Sequence, residues 1–220
     1  MSFIVAIDGP AGAGKGTITK LVGEKLNLMN IDTGATYRCV TLAVIENGYT
    51  LKEEEKIVDL LDKISIEFKK EKTYLNNKDV TKEIRTFKVD NMVSQVSHIQ
   101  RVRDCMAEFQ RKMAKGKDVI MEGRDIGTNV FPEADVKIYL DATPEERAKR
   151  RMLQNEEKGI QIPLEEIIEN IKFRDNNDKT SKVAPLKMAE DAIYVDSTEL
   201  TIDEVVNKII DIINQKKGQK

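Results

Sequence analysis

Tryptophan is absent from this 220-residue chain, histidine occurs once and cysteine twice. That poverty excludes several chemistries. Cys39 and Cys105 show no paired spacing, and neither forms a familiar metal-ligand pattern with His98. A disulfide framework and a zinc module are therefore excluded. The two thiols read as buried or half-buried residues of a reducing compartment, and His98 as a structural residue in a helical segment. There are five prolines and no long biased tract, with 40% hydrophobic and 34% charged residues. This is a globular profile, neither disordered nor fibrous. Neither sign of charge dominates, with 36 Lys and Arg against 38 Asp and Glu. A broad electrostatic grip on nucleic acid or an anionic membrane is not expected, so anion chemistry must rest on locally placed basic residues. Long apolar runs are missing too. The opening Phe3-Ile4-Val5-Ala6-Ile7 is too short for a signal sequence or membrane span and lacks a basic flank, so a cytoplasmic location is expected.

What is present is alternation. Phe3 to Ile7 reads as a buried strand, Lys15 to Leu26 as a helix, and Ala35 to Glu46 as another helix stopped by Asn47-Gly48. Val119-Ile120-Met121, Val136 to Leu140 and Ile193-Tyr194-Val195 read as further strands. Thr143-Pro144-Glu145-Glu146 opens a helix with a capping Thr and a Pro at the first turn, and Thr201-x-x-Glu204 opens a last helix to Ile213. The tail after Asn214 is expected to fray. Such alternation predicts a parallel sheet covered by helices on both faces. Ile64 to Ile84 breaks the rhythm. Its short alternating runs, the polar Lys69-Lys70-Glu71-Lys72 and the turn-like Asn76-Asn77-Lys78-Asp79 predict a small antiparallel insertion.

The strongest chemical signal is Gly9-Pro10-Ala11-Gly12-Ala13-Gly14-Lys15-Gly16-Thr17, set between the first strand and first helix. Glycines let the backbone curl until successive N–H groups point at phosphate oxygens, and the helix adds its positive end. Lys15 brings a full charge to the terminal phosphates, where charge is shared during transfer. A bare glycine-rich turn would not need the Lys at this spacing. Position 16 carries Gly where the general pattern has Ser or Thr. Thr17 follows, with a hydroxyl able to reach phosphate or a metal-bound water. This Gly-Lys-Gly-Thr form resembles the loops of nucleoside monophosphate kinases.

A phosphate loop serves phosphotransferases and nucleotide-operated switches alike. A small GTPase needs Asn-Lys-x-Asp for guanine; Asn77-Lys78-Asp79 has its Asp one residue too early and reads as a turn. Three other segments offer acceptor chemistry. Asp32-Thr33-Gly34-Ala35-Thr36-Tyr37-Arg38 enters the second helix, where Thr33 can serve as its cap and Arg38 presents a planar fork suited to phosphate. Glu122-Gly123-Arg124-Asp125-Ile126-Gly127-Thr128 follows a strand, where open α/β sheets bind ligands. Its carboxylates, Glu122 and Asp125, are candidates for metal-water or base contacts, or for a solvated loop. Arg174-Asp175-Asn176-Asn177-Asp178-Lys179 ends a helix and, alone, reads as a polar surface turn.

Together these segments resemble the cytidylate kinase family, from the first strand to the last helix. To the loop at 9–17 and the segments at 32–38 and 123–128 are added Val93-Ser94-Gln95-Val96-Ser97, Val102-Arg103, Glu145-Glu146-Arg147-Ala148-Lys149-Arg150-Arg151 and Val183-Ala184-Pro185-Leu186. The resemblance implies an α/β P-loop kinase fold: a parallel sheet flanked by helices, with a small antiparallel insertion and a short lid. It implies one kinase domain over residues 1–220, a monophosphate-binding insertion at about 59–85 and a lid at about 145–180. The implied reaction is ATP-dependent phosphorylation of CMP and dCMP with Mg²⁺. Residues 9 to 17, with Arg147 and Arg151, would bind ATP, and Thr17 would meet the metal, directly or through water. Arg38, Arg124 and Arg174 would hold the acceptor phosphate, Ser94, Arg103 and Asp125 would read cytosine, and Thr33 and Asp178 would lie near the sugar. Tyr37 belongs to the same substrate set. Lys15, Arg124, Asp125 and Arg174 are the implied catalytic residues.

Cytosine displays an amino donor beside acceptors, so a carboxylate with a polar or guanidinium donor tells it from uracil. Arg147, Arg150 and Arg151 share a helix face that closes over phosphates or is simply solvated. The implied partners are small nucleotides only, with a monomer expected. Family members usually carry an arginine where this chain has Ser181, with Lys179 and Lys182 beside it. Two alternatives stay open: a kinase preferring UMP or another nucleoside monophosphate, and a non-catalytic nucleotide-binding switch.

Overall fold

Ile4–Asp8 forms strand β1, in which Val5 through Asp8 are all buried. Successive side chains on a strand point to opposite faces, so an uninterrupted buried run means that both faces of the sheet are covered. In the computed structural model, which describes residues 2–69, 72–157, 159 and 161–218, β1 lies at the centre of a five-stranded sheet. Met29–Asp32 (β2), Val119–Gly123 (β6), Val136–Asp141 (β7) and Ile193–Asp196 (β8) complete it, in the order β2-β6-β1-β7-β8. The pairs β1–β6, β1–β7 and β7–β8 are parallel, with Val5 opposite both Ile120 and Val136. Strands β3 to β5 form a separate antiparallel sheet: Ile66–Lys69, Lys72–Leu75 and Lys78–Asp79.

The chain divides into two compact units: residues up to Ile31 with those from Ala114 onward, and Asp32–Met113. In the first, helices Lys15–Leu26 (α1) and Ile202–Lys217 (α8) bury Ile18, Val22, Val205, Val206, Ile209 and Ile213 against Val5, Ile7, Ile120, Ile138 and Leu140. Each such side chain contributes about 1.5–3 kcal/mol when fully buried. Pro144–Glu156 (α6) and Leu164–Thr180 (α7) pack through Ala148, Ile167 and Ile171. In the second unit, Thr33–Glu46 (α2), Glu54–Leu61 (α3), Phe87–Ser97 (α4) and Gln100–Ala114 (α5) share a core with the small sheet, through Val40, Val44, Ile57, Ile66, Leu75, Ile84, Val89 and Met106.

The alternating strands and helices and the antiparallel insertion match the sequence reading. Asn76 and Asn77, both with positive φ, make the two-residue turn between β4 and β5. Lys70 and Glu71 of the polar turn lie outside the described residues. Four local readings are corrected. Thr33 does not cap α2: Asp32, extended at φ −80° and ψ 95°, accepts from the Ala35 N–H at 3.0 Å, and Thr33 is the first helical residue. His98 stands just past α4 rather than inside a helix. Strand β6 runs through Glu122 and Gly123, so the acidic-basic segment begins inside the strand. The tail after Asn214 does not fray at once, because α8 continues to Lys217; Gln219 and Lys220 lie outside the described residues. The Thr201 cap reads as expected, with a reciprocal Thr201–Glu204 box. Cys39 is buried and Cys105 half-buried, and burial pushes the Cys39 thiol up to about 12. Among the described residues no helix is long and apolar enough to cross a membrane.

Candidate active site

The loop Gly9–Thr17 links β1 to α1 in the first unit. Gly9 has φ +152°, and a Cβ there would lie 2.0 Å from the Leu140 carbonyl oxygen, so no other residue fits under β7. Gly14, at φ 85°, turns the chain into α1. Pro10, Ala11 and Ala13 are buried, whereas Gly12, Gly16 and Thr17 are exposed. Lys15 is buried and curls back on its own loop, donating to the carbonyls of Gly9 and Pro10, each at 2.8 Å. Burial lowers the Lys15 pKa, the Arg124 charge lowers it further, and Glu122, Asp8 and Asp178 oppose the shift. An ammonium bonded to two neutral carbonyls gains by exchanging them for charged phosphate oxygens.

Around Lys15 the first unit gathers several expected residues. Glu122, the last residue but one of β6, lies beside Gly16: a Cβ on Gly16 would meet the Glu122 Oε1 at 2.9 Å. The missing side chain at 16 therefore makes room for a carboxylate. Arg124 donates through Nε to Asp178 Oδ2 at 2.9 Å, which brings together two expected substrate residues from distant segments. Asp125 is buried, and its carboxylate accepts from the Asn129 side-chain amide at 2.9 Å. Asp125 leads into the π-helical turn Ile126–Val130, whose first amides point at Asp8. The Asp8 carboxylate accepts from Ile126 N–H at 2.8 Å and Gly127 N–H at 2.7 Å.

The three arginines of α6 are not equivalent. Arg147 is buried, with every guanidinium nitrogen engaged by Ala142, Ala11 or Asp175. Arg150 is half-buried and donates to the Ser197 hydroxyl at 3.1 Å and carbonyl at 2.6 Å. Arg151 is exposed. Arg174 is half-buried on α7, one residue before Asp175.

The second unit carries Thr33, Tyr37, Arg38, Ser94 and Arg103. Arg38 donates to Asp90 at 2.5 Å and to the Ile84 carbonyl at 2.9 Å. Arg103 lies over the Tyr37 ring, 5.5 Å from its centroid, and donates to the Ser97 carbonyl at 3.3 Å. The Ser97 hydroxyl in turn donates to the Ser94 carbonyl at 2.8 Å, so Tyr37, Arg103 and the Ser94 turn form one cluster. Thr33 is buried, and its carbonyl accepts from the Thr36 hydroxyl, which itself accepts from the Gln110 amide at 3.1 Å. Arg38 follows Tyr37 on α2, and its carboxylate Asp90 shares α4 with Ser94.

Sequence reasoning missed the carboxylates that hold these cations and loops: Asp8, Asp90 and Asp175. Only Asp8 carried a signal, a charged residue ending an otherwise apolar strand. Among the described residues no group of three or more His, Cys, Asp or Glu is poised to cage a metal. The arrangement suits polyanion binding: a buried lysine, curled amides, and arginines held ready on carboxylates.

A model of the cytidylate kinase family matches residues 5–215. The cytidylate kinase of Lactobacillus gasseri is 51% identical over 217 residues, covering 97% of this chain and 94% of that protein. That of Caldicellulosiruptor saccharolyticus is 47% identical over 220 residues, covering 98% and 97%. That of Clostridioides difficile is 46% identical, covering 97% and 99%. Among solved structures, a gluconokinase from Sinorhizobium meliloti superposes with a TM-score of 0.52 at 9% identity, covering 99% of this chain and 95% of that one. At that identity the likeness speaks for the fold alone.

Proposed function

The chain belongs to the cytidylate kinase family, and from that premise we propose that it transfers the γ-phosphoryl group of ATP to CMP or dCMP, giving ADP and CDP or dCDP. What carries this reading is the continuity of the match: residues 5–215 span the phosphate loop, Ser94, Arg103 and Asp125 alike.

The amides of Gly9 to Thr17 and the positive end of α1 receive the donor phosphates. Lys15 exchanges its two loop carbonyls for phosphate oxygens, where its charge counts most as negative charge spreads in the transition state. Arg147 serves the donor phosphates by way of the Ala11 carbonyl, and Arg151 supplies lid charge along α6 and α7. Arg38, Arg124 and Arg174 hold the acceptor phosphate. Asp90 and Asp178 keep Arg38 and Arg124 extended until it arrives. Ser94, Arg103 and Asp125 read the cytosine edge, Thr33 and Asp178 lie near the sugar, and Tyr37 supports Arg103 from below its guanidinium plane. The antiparallel insertion belongs to the monophosphate-binding region. An acceptor phosphate is already anionic, so positioning and charge neutralisation suffice and no general base is needed.

Mg²⁺ fits the residues present. Gly16 leaves open the space that the Glu122 carboxylate fills, and Thr17 adds a hydroxyl one residue on. Few protein oxygens suit a cation that keeps several waters. Bound there, Mg²⁺ would neutralise phosphate charge. We place the enzyme in the cytoplasm, working as a monomer on free nucleotides.

The test is ADP release with ATP and each nucleoside monophosphate in turn. CMP and dCMP are expected to be the best acceptors. A panel in which AMP or GMP outruns CMP would refute the reading, as would ATP binding with no acceptor turnover.

A further inference from the structure

Arg147 closes the first turn of α6 and is 2% exposed. Its Nε donates to the Ala142 carbonyl at 2.9 Å, and one terminal nitrogen donates to the Ala11 carbonyl of the phosphate loop at 2.9 Å. That same nitrogen and its neighbour form a two-pronged bridge to Asp175 of α7, at 3.0 and 2.5 Å. The loop also lies flat against the arginine stem, because a Cβ on Gly12 would meet the Arg147 Cβ at 3.4 Å. One buried side chain therefore grips the donor loop and α7 together.

Holding α6 to α7 does not require this pair, since Ala148, Ile167 and Ile171 already pack there. A buried ion pair costs desolvation that an apolar contact of similar size avoids. What the planar fork adds is orientation: two parallel bonds resist rotation of α7 about its own axis. That rotation matters for the neighbours of Asp175. At about 100° per residue, Arg174 projects about 100° to one side of Asp175 and Asp178 about 60° to the same side, so the two share a face about 40° apart. Asp178 in turn holds Arg124.

We propose that Asp175, gripped by Arg147, is a positioning residue for the acceptor phosphate. It fixes the rotation of α7 relative to the donor loop, and so aims Arg174 directly and Arg124 through Asp178. The inference rests on the reading of Arg174 and Arg124 as holders of the acceptor phosphate.

The experiment uses the full chain with Asp175→Asn, which keeps the side-chain shape and leaves Arg147 its bonds to Ala11 and Ala142. Kinetics with varied CMP are combined with the Ki of cytidine, which lacks the phosphate, and the Kd of a non-hydrolysable ATP analogue. We expect the CMP KM to rise at least tenfold and kcat to fall at least tenfold. The cytidine Ki and the ATP-analogue Kd should stay within threefold of wild type. CMP kinetics within threefold of wild type would overturn the proposal. So would cytidine and ATP-analogue binding that weaken in step with CMP, since general loosening would produce that pattern. Should Asp175→Asn fail to fold, the paired change Arg147→Met with Asp175→Leu replaces the ion pair by apolar packing. There the CMP KM should rise while the cytidine Ki holds, and wild-type CMP kinetics would overturn the proposal. A wild-type chain that did not turn over CMP would sink the functional reading and this inference with it; an unaffected variant beside an active wild type sinks this inference alone.

Discussion

The Gly127 N–H donates to the carboxylate of Asp8 across 2.7 Å, joining residues 119 positions apart in sequence. With the Ile126 N–H on the other oxygen, this carboxylate fastens the turn that follows Asp125. Burial raises the Asp8 carboxyl to about 6, against two backbone bonds that lower it. Its folded value lies above the ordinary 3.8, so the folded chain binds this proton more tightly than the unfolded chain between about pH 4 and 6. The stability tied to that proton is full below about pH 4 and is lost as pH rises through about 6. Urea denaturation should therefore show the wild type losing on the order of 2 kcal/mol relative to Asp8→Asn between pH 4 and 6. Parallel pH profiles for the two proteins would contradict this account.

Lys15 makes the opposite kind of prediction. Burial lowers its pKa in the free protein, and donor phosphates restore it. ATP binding near pH 8 should therefore take up protons, visible as a binding heat that changes with the ionisation enthalpy of the buffer. Lys15→Met should abolish that dependence. The variant should also lower kcat roughly 100- to 1,000-fold while keeping a cooperative unfolding transition. Near-normal turnover in the folded variant would remove Lys15 from the chemistry.

Glu122 and Gly16 are complementary, the first filling the space that the second leaves. Glu122→Gln should raise the Mn²⁺ dissociation constant of the ATP complex about tenfold or more, read by electron paramagnetic resonance. Gly16→Ala should do likewise by pushing the carboxylate aside. Unchanged Mn²⁺ affinity in both variants would move the metal contact elsewhere.

Ser181 stands where the family resemblance leads one to expect an arginine. Its hydroxyl donates to the Val183 carbonyl at 2.7 Å and accepts from the Val183 N–H at 3.2 Å, so it closes its own turn instead of reaching out. Lys182 beside it is exposed. We expect Lys182→Ala to raise the CMP KM several-fold, with Lys179→Ala weaker, because a flexible ammonium replaces the lost charge without its fork. Wild-type CMP affinity and turnover in Lys182→Ala would show that Arg174 suffices.

Much of the fold was legible because its signals are local. Strand β1, the glycine loop and α1 succeed one another within a short stretch, and the Thr201–Glu204 box spans three residues. The cap of α2 was misread because Asp32 and Thr33 are both capping types, and only the backbone angles separate them. The carboxylates behind the site were illegible for another reason. Asp90 meets Arg38 across 52 positions and Asp175 meets Arg147 across 28, so in sequence each looks like any solvated acid. Arg147 read as a lid cation because helix spacing gives a shared face, not depth.

The position of β1 has a consequence for the chain as it is made. This central strand is synthesised first, yet its partners, Val119–Gly123 and Val136–Asp141, come more than a hundred residues later. Asp32–Met113, by contrast, is one continuous stretch with its own core. On the ribosome that middle stretch can condense while Ile4–Asp8 waits, apolar and with both edges open. Closing so long a loop is slow, and the waiting strand is where misassociation between nascent chains would begin.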